Sequence, residues 1–175
     1  MSQFAKTEFV IDHYFDPMRK RHYLNNALTV LHCHHFTTLN TQLALDANET
    51  ALLQSVAEDS FFPELNAYFD KHAIKSLRDR ISIGQQYYAV IGLGKMEVIC
   101  LGADSGNVEL LRSHIDEGWI AKWGTYDKPV NYIGAGFIGA LFAATLELPP
   151  HSFDVTEVAS LVMGAKKSHF KIVRQ

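Results

Sequence analysis

The spacing of apolar positions changes character several times along this chain, and each change marks an element. The run Ala27-Leu28-Thr29-Val30-Leu31-His32-Cys33-His34-His35-Phe36 is rich in β-branched and aromatic residues and predicts a strand over 27–36. Thr37 or Thr38 then stands where a cap belongs for a short helix over 39–45, which Asp46-Ala47-Asn48 interrupts. Asn48 is placed to cap the next helix, with Glu49 in its first turn. Leu52, Leu53, Val56, Phe61, Leu65 and Phe69 keep roughly helical spacing, and Pro63 predicts a new turn or a kink among them. A third helix is predicted over 74–91, with Leu77, Ile81, Tyr88 and Ile91 at its apolar positions.

Gly92-Leu93-Gly94 ends that helix. Strands follow at 95–101 and 108–112, joined by Ala103-Asp104-Ser105-Gly106-Asn107, where Gly and Asn tolerate the positive φ of a hairpin turn. The stretch 113–130, with Trp119 and Trp123, reads as a long loop. An apolar helix over 132–146 carries Gly134, Gly136 and Gly139 and stops before Pro149-Pro150. Segments 153–163 and 168–173, either side of Gly164, read as a second antiparallel hairpin. This order predicts an α+β fold, an antiparallel sheet with helices packed on one side. Residues 1–25 read as an irregular N-terminal arm with a basic cluster, Arg19-Lys20-Arg21-His22, and residues 26–175 as the folded domain.

Composition narrows the class. At 175 residues, 47% hydrophobic and 20% charged, the chain has the apolar material for one domain with a proper core. A net charge of -3 and a pI near 6.3 argue against nucleic acid or an anionic membrane as the main partner. Cys33 and Cys100 form no CxxC and read as free thiols in a reducing compartment. The N-terminal residues have no signal pattern, and the longest apolar run, 132–146, is about five residues short of the roughly 20 that span a bilayer. A cytoplasmic location without membrane insertion is expected.

The most chemically suggestive stretch is His32-Cys33-His34-His35. On a strand His32 and His34 share a face, and two imidazoles so placed form a half-site for a transition metal. A further ligand is required, with His13, His72, Glu157 and Asp46 as candidates. The alternative is that these histidines line a polar pocket wall or a subunit contact. No GxSxG, HExxH or phosphate-binding glycine loop accompanies them. Gly92-Leu93-Gly94 precedes a strand, which is not the dinucleotide-binding arrangement.

Three segments carry a family likeness. Ile91-Gly92-Leu93-Gly94-Lys95-Met96-Glu97-Val98-Ile99, Lys128-Pro129-Val130-Asn131 followed by Gly136-Phe137-Ile138-Gly139-Ala140-Leu141, and Val155-Thr156-Glu157-Val158-Ala159-Ser160 with Gly164 and Ser168-His169-Phe170 together resemble the 4-vinyl reductase (hydrocarbon-binding) domain family, related in fold to TRAPP subunits. The resemblance covers about 74–173 and extends more loosely back to Ala27.

It implies a pocket between helices and sheet for a small hydrophobic or aromatic molecule, lined here by His32, His34, Trp119, Trp123 and Glu157, with the two tryptophans as a lid. In family members that serve aromatic-sensing activators, three cysteines and a glutamate hold zinc. Those positions fall on Asn131, Glu157, Ser160 and Ser168, which keeps one ligand of four. No structural zinc and no cofactor are therefore expected there, with hydrogen bonds among these residues in its place.

Glu157, on one strand face with Phe153, Val155, Ala159 and Leu161, must be paired, hydrogen-bonded or protonated. A tryptophan that touches the ligand in aromatic sensors falls near Leu110, which argues against phenol-like specificity. The family also implies a homodimer, with any sensor output passing through a protein partner. The expected function is a sensor or carrier for a small apolar molecule. The alternatives are a metal-dependent enzyme using His32 and His34, and an adaptor subunit of a complex.

Overall fold

The computed structural model describes residues 7–30 and 33–175. In chain order its elements are β1 (His13–Asp16), β2 (Arg21–Leu24), β3 (Ala27–Thr29), α1 (His34–Asp46), α2 (Thr50–Lys71), α3 (Leu77–Val90), β4 (Gly94–Leu101), β5 (Ser105–Ser113), α4 (His114–Trp123), α5 (Tyr132–Thr145), β6 (Phe153–Ala159) and β7 (Ser168–Arg174). β4 to β7 form one antiparallel sheet in the order β4-β5-β7-β6, and β1-β2-β3 form a separate antiparallel meander.

The glycine-rich segment is the centre of the fold. α5 is buried from Gly134 to Thr145, because it lies between the larger sheet on one side and α2 on the other. Its small residues allow that approach. A Cβ on Gly136 would run into the backbone carbonyl of Gln54, and one on Gly139 would stand 2.7 Å from the Glu58 carboxylate. On the sheet side Phe142 lies over Gly106 and packs edge-on against Phe153. Val98, Val108, Leu110, Val155, Phe170 and Ile172 fill the inner face, while Ile99, Leu111, Val158 and Val173 lie exposed on the other. α3 packs against both β4 and α5. The fold is thus the α+β arrangement that the pattern predicts.

Several boundaries differ from the sequence expectation. The strand predicted over 27–36 is β3 alone, and α1 begins at His34; Leu31 and His32 lie outside the described residues. The buried face of α1 is polar (Thr37, Thr38 and Thr41), because Gly118 of α4 lets the helix come close at His34 and Thr38. A search for apolar periodicity passes over such a helix. Asn48 does not cap α2: it adopts φ 56° in the turn before it, a conformation asparagine tolerates. Pro63 sits inside an unbroken α2. The carbonyl its missing N–H leaves without a helical partner belongs to Asp59, an exposed residue.

The third helix begins at Leu77, after a Ser76 cap that accepts from the Asp79 amide. Ser113 opens a true helix, α4, within the predicted loop, its Oγ accepting from the Asp116 amide at 3.2 Å. β5 begins at Ser105, which shortens the hairpin turn. The last hairpin's first strand stops at Ala159, before a 3-10 turn over Leu161–Met163. From His13 onward the N-terminal arm is not irregular. Its meander turns at Asn25 and Asn26, φ 50° and 75°, and so joins residues on both sides of position 26.

Candidate functional site

Where α4, α5, β6 and β7 meet, a set of polar side chains is sealed from solvent. Ser113 ends β5, and its Oγ accepts from the Asn131 side-chain amide at 2.9 Å as well as from the Asp116 backbone. Asn131 caps α5 through Oδ1, which accepts from Gly134 N at 3.0 Å. Its own backbone N–H donates to Glu157 Oε2 at 3.3 Å. Ser168 donates to Asp116 Oδ2 at 3.0 Å and accepts from Leu161 N at 3.1 Å. Asp116, Ser113, Ser160 and Ser168 are fully buried. The fold therefore brings Asn131, Glu157, Ser160 and Ser168 together. It adds three residues that sequence reasoning missed: Ser113, Asp116 and Tyr88. For Ser113 and Asp116 the available signal was the Ser-x-x-Asp helix start.

The donor set is oxygen and amide, with no thiolate, and does not suit a tetrahedral zinc site. Its electrostatics are those of two carboxyls in a dry place. Burial pushes the Asp116 carboxyl above its usual range. Glu157 is pushed up to about 7, first by burial and then by the charge of Asp116, against the opposing pull of Ser168, Ser160 and the Asn131 N–H. Burial, followed by the charge of Asp116, also raises the Tyr88 hydroxyl. Tyr88 OH, Asp116 Oδ1, Glu157 Oε1 and Ser160 Oγ are buried without a hydrogen bond of good geometry, and so is the indole N–H of Trp119.

α4 supplies aromatic walls next to this cluster. Trp119 is 3% exposed, with its ring 4.7 Å from Trp123 and 5.1 Å from Tyr126. Trp123 lies at the surface under Lys122, whose ammonium is 4.4 Å from the ring centre. Trp119 is thus a wall and Trp123 an edge. Leu110 is fully buried in β5.

The histidines are arranged differently from the strand expectation. His34 sits in the first turn of α1, so the alternation that puts His32 and His34 on one face does not apply, and His32 lies outside the described residues. His34 instead contacts His35, with rings 4.1 Å apart, and His114, 5.2 Å away. The proposed additional ligands are engaged elsewhere. His13 meets His22 at 3.0 Å, His72 stacks on Tyr68, and Asp46 accepts from Gln42 at 2.6 Å. Among the described residues no three His, Cys, Asp or Glu side chains converge as a metal site. No helix among them is long and apolar enough to cross a membrane.

A concavity lies beneath the N-terminal segment, between α2 and α3. Phe9, Leu24, Leu65, Tyr68, Ile83 and Tyr87 form its apolar walls, with Asn25 and Glu64 as polar members, around about 10 Å³ of space. Nothing in the linear sequence marked it.

No family model matches the chain, and no curated protein matches it. Solved structures do. The phenol-responsive sensory domain of the transcription activator PoxR, in complex with phenol, superimposes with a TM-score of 0.77 over 93% of this chain and 84% of its own, at 10% identity. A trafficking protein particle complex subunit 3 from Naegleria fowleri, covalently bound to palmitic acid, gives 0.53 over 81% and 95%, at 9% identity. A vinyl-4-reductase family protein from Methanocaldococcus jannaschii gives 0.49 over 70% and 68%, at 16% identity. The chain has the fold of the PoxR sensory domain and, more distantly, of the trafficking subunit, which is the fold relationship that its C-terminal motifs imply.

Proposed function

We propose that this protein binds a small apolar or aromatic molecule between its helices and its sheet, as a sensor or carrier. One observation carries the reading. The buried polar atoms Tyr88 OH, Asp116 Oδ1, Glu157 Oε1 and Ser160 Oγ, none with a well-formed hydrogen bond, gather behind the aromatic interior that Tyr88 and Phe137 form. A ligand with an apolar body and a single polar end answers both halves of that arrangement. The similar PoxR domain responds to phenol, which supports a small aromatic ligand here; with Leu110 near the place of the aromatic sensors' tryptophan, the contacts to the ring must come from other residues. In this reading the polar cluster does the work of the family's metal: it fixes α4 and the start of α5 against the sheet. Leu39, Leu43, Leu52 and Val56, exposed on α1 and α2, support self-association, with any signal passing to a protein partner.

The test is native mass spectrometry of the purified chain, together with thermal shifts in phenol and in toluene. The reading expects a co-purifying small molecule or a concentration-dependent rise in melting temperature. It also expects Glu157→Gln to change the response to phenol more than the response to toluene. No retained molecule, and no shift with either compound at millimolar concentration, would refute it.

A further inference from the structure

The crevice under the N-terminal segment already contains an aromatic ring. Phe9 is 7% exposed, and its ring lies 4.6 Å from that of Tyr68 and 5.4 Å from that of Tyr87, tilted 26° to each. The backbone around it is held by side chains instead of by a sheet. Gln86 accepts from the Phe9 amide at 3.0 Å and donates to the Thr7 carbonyl, and the Tyr68 hydroxyl accepts from the Val10 amide at 2.8 Å. This is a flat slot with a tethered ring inside it.

Beyond Phe9 the slot has two polar members. The side-chain amide of Asn25 is buried without a partner, a donor facing an apolar space. Glu64 lines the same space as an acceptor, and burial raises its pKa. The remaining volume, about 10 Å³, is room for roughly one water, so no ring enters while Phe9 stays. The slot's wall is continuous with the core. Tyr87 lies 6.1 Å from Phe137, and Phe137 lies 5.0 Å from Tyr88, whose hydroxyl ends at the buried acid cluster.

We propose that the space between Tyr68 and Tyr87 is a binding site for a small aromatic ring bearing a hydroxyl, that Phe9 is its resident occupant, and that the ligand binds by displacing Phe9 and freeing the segment before β1. The site rests on the small-molecule reading above and is a second place for such a ligand, apart from the buried cluster around Glu157. The ligand ring takes the place of Phe9 against the two tyrosines, its hydroxyl donates to Glu64, and Asn25 donates to the hydroxyl oxygen. Displacement breaks the amide contacts of Phe9 and Val10, so occupancy changes the segment that leads into the β1-β2-β3 meander.

Hydrogen exchange of the full chain, with and without toluene or p-cresol, tests this. The two probes share a ring and differ by one hydroxyl. p-Cresol is expected to bind at least tenfold tighter than toluene, and Glu64→Leu to abolish that difference. At saturation the Phe9 and Val10 amides are expected to exchange at least tenfold faster, while those of α5 stay unchanged. If p-cresol binds and the Phe9 and Val10 amides keep their protection, the slot is not the site, and the broader ligand-binding reading stands without it. If neither probe binds, both fail.

Discussion

Glu157 offers the sharpest test of the buried cluster, because its carboxyl titrates near neutrality for a stated reason. Its pKa is raised from 4.5 to about 7 by burial and by the neighbouring Asp116. A carboxyl held above its unfolded value binds its proton more tightly in the folded chain. The stability this contributes is therefore fully present below pH 4.5 and is lost as pH rises through about 7. The gap between those two values, at about 1.4 kcal/mol per pH unit, comes to roughly 3 kcal/mol. For a domain of this size that corresponds to about 6–12 °C in melting temperature. Glu157→Gln keeps the shape of the protonated acid and removes its titration.

Thermal melts of the wild type and of Glu157→Gln at pH 5, 6, 7 and 8 make the measurement, the difference between the two profiles cancelling the other titrating groups. The wild type should lose stability relative to the variant across this range, and Asp116→Asn should make the wild-type slope shallower. Parallel profiles, or a wild type that gains on the variant as pH rises, would refute the argument that this carboxyl is dry and coupled to a second acid.

Other outcomes follow from the same contacts. Asn131→Ala removes a helix cap and the amide donor to Ser113, and should lower stability by about 2 kcal/mol in urea unfolding. Gly136→Val forces a branched side chain against the Gln54 backbone and should cost about 3 kcal/mol, read as a lower urea midpoint. Elemental analysis should find well under one zinc per chain, and a chelator should leave the melting temperature unchanged. A stoichiometric zinc that Glu157→Ala abolishes would overturn the account of a metal replaced by hydrogen bonds.

What was legible in the sequence was whatever apolar spacing or turn chemistry announces. The two C-terminal hairpins and the glycine-rich helix are legible because strands and glycine turns leave local signatures, and Asn131, Glu157, Ser160 and Ser168 do lie together in the fold. α1 was misplaced because its buried face is made of threonines packed under Gly118. α4 is harder to see because its tryptophans also suit a loop that folds over a pocket, and its only local mark is the Ser113 cap with Asp116 in the first turn. Asp116 escaped notice as a partner of Glu157 for a different reason. Residues 116 and 157 meet only through the packing of α4 beside β7, a long-range event with no local trace. The Phe9 slot likewise depends on contacts between residues dozens of positions apart.

The burial of α5 on every side has a consequence for how the chain is made. A helix with no water-facing stripe has no stable existence before both of its neighbours arrive, one of which is completed only by the final strand, β7. During synthesis this segment is greasy and unprotected until β7 has emerged. Chains cut short before β6 should accordingly be captured by chaperones or aggregate, and folding should proceed as a single late step, not helix by helix.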